Sequence, residues 1–183
     1  MRILRIAGAV AATIMLLVVV SGAVAAPGHV ATVKATLARP PADVWQRITD
    51  HAGQPRWRSE LKALVVLPPR DGKFAFEEEN DFDRVQYVVD EVVVLQRYVV
   101  RITSEGLGYT GRWIFELSAA PTAPASGPPA ATDLVITEEG EVQSFLFRAL
   151  SPLFSKTATI KGYFAALAAE LGVGATPEVV RAK

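Results

Sequence analysis

Two carboxylates stand in phase with apolar strand positions, and their placement raises the first question of chemistry. Glu78 alternates with Phe74 and Phe76, and Glu138 with Leu134 and Ile136. If each stretch is a half-buried strand, period-2 geometry turns both carboxylates toward the core. A desolvated carboxyl holds its proton more tightly and can serve as an acid or a base. Against that, Glu77-Glu78-Glu79 is an acidic run of a kind usually solvated, and this is the favoured reading of Glu78. Tyr109 is a third polar candidate. The histidines, His29 and His51, have no acid or nucleophile at a spacing that would suggest a triad. With no cysteine and no H-x-x-x-H, a metal site has no ligand set. Gly106-Leu107-Gly108 lacks the strand-then-helix context of a phosphate loop, so the residues imply no cofactor and no catalytic group.

Binding is better represented than catalysis. Trp57, Phe74, Phe76, Tyr109, Trp113 and Phe115 could line a cavity, since apolar sites are walled mostly by aromatic and aliphatic side chains. The plainer alternative is that they fill a core, and for Trp45, on a helix stripe, core packing is the expectation. Gly111 lies between Tyr109 and Trp113; a glycine inside a strand leaves room for close approach by a ligand or another backbone. Arg112 alternates outward with Thr110 and Glu116 and reads as a surface residue.

These side chains need a sheet to carry them. His29–Leu37 alternates as a strand, and Arg39-Pro40-Pro41 stops it. Pro41 suits a first helical turn and Asp43 its positive dipole end, so a short helix runs to about Asp50. Strands follow over 61–67, ended by Pro68-Pro69, then 73–79, 84–95, 98–103, 109–117 and 132–142, with turns at Asp71-Gly72 and Asn80-Asp81. Residues 119–131, rich in Pro and Ala, read as a mobile loop. Ser151 and Pro152 can open a closing helix whose apolar stripe is Ile160, Phe164, Leu167 and Leu171, with Gly172 at its C′ position. Residues 173–183 carry no pattern and read as a loose tail.

The run Pro41-Ala42-Asp43-Val44-Trp45-Gln46-Arg47-Ile48-Thr49-Asp50 followed by Pro55-Arg56-Trp57 resembles P-x-x-V-W-x-x-I-T-D…P-x-W. That signature is typical of polyketide cyclase/dehydrase and lipid-transport proteins of the START-like (SRPBCC) superfamily. Gly111–Leu117 and the closing Leu167-Ala168-Ala169-Glu170-Leu171-Gly172 are similar too, so the resemblance covers about residues 29–172. It implies an α+β helix-grip fold: a seven-stranded antiparallel sheet curled around a long C-terminal helix, two short helices after the first strand, and a cavity between sheet and helix. It also implies that Trp57, Phe74, Phe76, Glu78, Tyr109, Gly111, Trp113 and Phe115 face that cavity. Fold alone does not decide function.

Residues 1–25 form a separate unit. Arg2 and Arg5 precede an apolar run from Ile6 to Val20 and an A-x-A at Ala23-Val24-Ala25, the three parts of a signal peptide. The uncharged stretch through Ala26 is also long enough to span a bilayer as an anchor. Either reading keeps the arginines in the cytoplasm and puts the domain outside it. Nineteen basic residues balance nineteen acidic ones, without the basic excess that nucleic-acid binding needs. The expected partner is a small apolar ligand (a lipid, quinone or polyketide-like molecule), with the membrane as a second partner if residues 1–25 are kept. The alternatives are a cyclase or dehydratase using Glu78, Tyr109 or Glu138, and a structural domain with a filled core.

Overall fold

The computed structural model describes residues 28–104, 106, 108–121, 131–143 and 155–182. The apolar segment 1–25, most of the 119–131 loop, the stretch Phe145–Leu150 and the Ser151–Pro152 cap therefore lie outside the described residues. Strand β1 (Gly28–Leu37) leads into helix α1 (Pro41–Thr49) and a 3₁₀ helix (His51–Arg56). Strands β2 (Ala63–Arg70), β3 (Lys73–Glu79), β4 (Arg84–Val93), β5 (Arg97–Ile102), β6 (Tyr109–Ala119) and β7 (Thr132–Val142) follow. Helix α2 (Ala158–Glu170) and strand β8 (Glu178–Ala182) close the chain. The eight strands among the described residues form one antiparallel sheet in the order β2-β3-β4-β5-β6-β7-β1-β8.

Local chemistry accounts for most boundaries. Pro41 occupies the first helical position of α1, and Asp43 sits in its first turn. Asp71 and Gly72 both take positive φ, 52° and 73°, as a two-residue hairpin between β2 and β3 requires. Gly172, at φ 65°, ends α2: its N–H donates to Ala169 O and that of Val173 to Ala168 O, the paired bonds of a Schellman cap. The α2 stripe is Ile160, Phe164 and Leu167, extended by Tyr163 and Ala168. It packs on alternate residues of β1, β6 and β7, among them Ala31, Val33, Phe115, Leu134 and Ile136.

Four expectations need correction. The sheet has eight strands, because the tail pairs with β1 through β8 instead of lying loose. Every residue of β8 is exposed, so the strand is held by backbone hydrogen bonds and carries no apolar alternation for sequence reading to find. Strand β2 continues through Pro68 and Pro69; it is the sheet edge, and its pairing with β3 shifts between Leu67 and Arg70, so neither proline sits in a ladder pair. Strand β4 stops at Val93 because Leu95 takes φ 63° in the turn to β5, and it carries a bulge between Val89 and Glu91. Helix α2 begins at Ala158 with Thr157 as its N-cap, later than a Ser151–Pro152 start would give.

Candidate ligand cavity

A cavity of about 340 Å³ lies between the inward face of the sheet and the α1, 3₁₀ and α2 layer. Period 2 determines what the strands contribute: Phe76 and Glu78 from β3, Val85 and Tyr87 from β4, Tyr98, Val100 and Ile102 from β5, Tyr109, Trp113 and Phe115 from β6, and Glu138 from β7. The helical layer adds Ile48, His51, Gln54, Arg58 and Tyr163. Ring packing holds the wall in shape. Phe76 and Tyr87 stack at 5.1 Å with planes 17° apart, and Tyr163 meets Phe115 at 5.4 Å and Trp113 at 5.9 Å.

Polar groups interrupt this apolar wall at defined points. Arg58, just past the 3₁₀ helix, donates from Nη1 and Nη2 to the two oxygens of Glu78, at 2.5 and 3.2 Å. It also donates to Gln54 Oε1 at 2.7 Å and, through Nε, to Glu60 Oε1 at 2.8 Å. Its guanidinium lies 5.3 Å from the centre of the Tyr163 ring, within cation–π range. Burial disfavours the Arg58 charge, but Glu78 beside it more than offsets that, so the guanidinium holds its proton more tightly than usual. The two side chains are 13% and 11% exposed, which makes this a buried ion pair whose donors and acceptors are satisfied.

Elsewhere, His51 Nε2 and the Tyr98 hydroxyl share a 2.8 Å hydrogen bond. Burial pushes the His51 pKa down, against smaller opposing effects of the Thr49 backbone and Asp50, so the imidazole is neutral near pH 7. Burial likewise pushes up Tyr87, Tyr98, Tyr109 and Tyr163. These phenols keep their protons and are hydrogen-bonding groups, not bases. Glu138 lies directly across from Trp113 in the β6–β7 register, 3.7 Å from His29 Nε2.

An antiparallel sheet, a closing helix on its inward face and an aromatic cavity between them are the arrangement the motifs imply. The family model described as polyketide cyclase / dehydrase and lipid transport matches residues 28–172. The chain belongs to this family. Among solved structures, a START superfamily protein from Mycobacterium smegmatis aligns at 13% identity with TM-score 0.59, covering 79% of this chain and 97% of that one. Norcoclaurine synthase from Thalictrum flavum, solved with dopamine and hydroxybenzaldehyde, aligns at 12% with TM-score 0.57, covering 83% and 90%. The Zhui aromatase/cyclase from Streptomyces aligns at 11% with TM-score 0.57, covering 78% and 93%. At these identities the likeness is one of fold. The comparison with curated proteins finds no match.

Within the family's fold the residues singled out from sequence divide. Phe76, Glu78, Tyr109, Trp113 and Phe115 line the cavity. Glu78 does so despite its acidic run, because Arg58 meets it there. Three others do not line it. Phe74 is one pleat farther along β3 than Phe76, 40% exposed, with its ring against His51 at 4.7 Å. Trp57 meets Tyr163 edge-on at 5.5 Å and packs against the core. Gly111 pairs with Gly140, and a Cβ on it would lie 2.5 Å from Glu139 O, so its open space serves the neighbouring backbone of β7. Sequence reading missed Arg58, His51 and Tyr163 as wall residues. Tyr163 carried a signal, one turn from Ile160 and Leu167 on the same stripe; Arg58 and His51 follow helix ends, where spacing says nothing about direction.

Proposed function

We propose that this domain binds and carries a small, largely apolar molecule in the cavity beneath helix α2. The observation that carries the reading is the wall itself: Phe76, Tyr87, Trp113 and Phe115 around about 340 Å³, within the ~300–1,000 Å³ range of small-molecule sites. Burial of ligand surface is favourable by roughly 25 cal/mol per Å² before ordering costs. That size suits a compact ring system better than a two-chain lipid. Membership of a family described by lipid transport as well as cyclase chemistry agrees with it.

A protein retaining only Trp113 (Trp45→Phe, Trp57→Phe) tests this, with 2-methyl-1,4-naphthoquinone as a neutral apolar quencher. Quenching should saturate, whereas a protein retaining only Trp45 should show collisional quenching without saturation. Identical, non-saturating curves would rule the reading out.

A second reading, cyclase- or dehydratase-type catalysis, is favoured by Glu138, a carboxylate on the cavity wall that no Lys or Arg partners among the described residues. It requires turnover that Glu138→Gln abolishes while ligand binding persists.

We place the domain outside the cytoplasm, on the strength of Arg2 and Arg5 before the apolar run 6–20. An enzyme active only in the cytoplasm, fused after Lys183, should then be inactive. Strong activity would contradict the placement.

A further inference from the structure

Charge narrows what the cavity can hold. The cavity wall contains Glu60, Glu78 and Glu138 against one arginine, Arg58. A second cleft adjoins it, sharing Ile102, Tyr109, Trp113 and Glu138, and adds Asp83, Glu139 and Glu141 against Arg112. Counting histidines as neutral, the two together carry six carboxylates and two guanidiniums among the described residues, a net charge of −4. The pairing is uneven. Arg58 is committed to Glu78 and Glu60, and Arg112 to Glu139 at 2.7 Å. Glu138, at the boundary of the two spaces, has no Lys or Arg partner among the described residues. Clefts lined by an excess of one sign of charge concentrate ions of the opposite sign, and here Glu60, Asp83 and Glu141 contribute from exposed positions.

An acidic cluster alone would not specify a ligand, but the aromatic wall supplies an independent demand. Tyr163 is 5% exposed and lines the cavity, and its hydroxyl has no hydrogen-bond partner among the described residues. A polar group at a cavity wall without a protein partner favours a guest that places a polar atom beside it. Trp113 stands directly across β6–β7 from Glu138, within side-chain reach, and Tyr109 lies two pleats along on the same face, beyond Gly111. Aromatic faces beside a carboxylate whose neighbour is an imidazole, His29 at 3.7 Å, and no Lys or Arg among the described residues are surroundings that stabilise an ammonium group.

Building on the proposed binding role, we infer that this cavity selects a cationic ligand: a compact aromatic or alicyclic body bearing a protonated amine. The body packs against Phe76, Tyr87, Trp113 and Phe115, and the ammonium lies at Glu138. A fatty acid or other carboxylate would bring a further negative charge into an already acidic space and is disfavoured.

Three probes of one shape separate the possibilities by calorimetry on the full chain: protonated 2-(aminomethyl)naphthalene, neutral 2-naphthalenemethanol and anionic 2-naphthoate. The amine should bind about tenfold more tightly than the alcohol, as one good cation–π and ionic contact allows, and naphthoate more weakly than either. In Glu138→Gln, with its fold verified by circular dichroism, the amine-to-alcohol ratio should fall toward one. Equal affinities, tighter naphthoate binding, or an amine preference that survives Glu138→Gln would overturn the inference while leaving cavity binding intact. Failure of all three probes to bind would overturn both.

Discussion

Trp45 and Trp113 separate packing from binding at single side chains. Both are half-buried against the core, but Trp45 meets Tyr98 edge-on at 6.2 Å outside the cavity, whereas Trp113 has the cavity on one side. Trp45→Ala should cost about 2–3 kcal/mol, below the ~3–5 of fully buried aromatics, and Trp113→Ala less, because it enlarges existing space. Chemical denaturation measures both; a larger loss at Trp113 would indicate a packed wall. The Arg58–Glu78 pair gives a sharper contrast. Arg58→Met strands a buried carboxylate and should destabilise by about 3–5 kcal/mol, while the double change Arg58→Met with Glu78→Leu should restore most of it. No restoration would mean that Arg58 acts through its other partners. Of this polar wall, the phase of Glu78 and Glu138 was legible in the sequence. Their partners were not: Arg58 reaches Glu78 across 20 residues and His29 reaches Glu138 across more than 100, and only the folded sheet brings them together.

Elements were more legible than contacts, because turn chemistry and period 2 are local. Asp71-Gly72, Gly172 and the β6 alternation behave as their residue types require. The failures occur where tertiary pairing overrides local preference, in the β2 edge prolines and in β8, which hydrogen-bonds to β1 without burying a side chain. The β4 bulge was silent as well, yet it has a measurable consequence. Asp90, in the bulge, accepts from Arg101 Nε at 2.6 Å and from Lys73 Nζ at 2.8 Å. Hydrogen bonding to Arg101, then Lys73, outweighs the opposing effect of burial and lowers the Asp90 pKa from 3.8 to about 2. Because the folded-state value is depressed, the stabilisation is present above about pH 4 and is lost as pH falls toward 2. Urea midpoints measured across that range should decline less steeply in Asp90→Asn than in the parent. Equal slopes would show that this cluster contributes nothing to acid stability.

For the whole molecule, the fold is that of a grip with room left inside it. Helix α2 buries Ile160, Phe164 and Leu167 in a core shared with β1 and β7. Beside this core the sheet presents Tyr87, Tyr109, Trp113 and Glu138 to the cavity, with Tyr163 of α2 also on its wall. Helix packing therefore stabilises the core while leaving the cavity beside it free to hold a guest, and a bound guest would add stability in proportion to its occupancy. The charges that residues distant in sequence bring together around the cavity favour a cationic guest. Native mass spectrometry of the chain as isolated from its own host, under conditions that preserve non-covalent complexes, tests the central claim most directly. One small molecule per chain is expected, released on unfolding and carrying a basic nitrogen on a compact apolar body. A chain that is uniformly ligand-free, or one that retains a fatty acid, would contradict it.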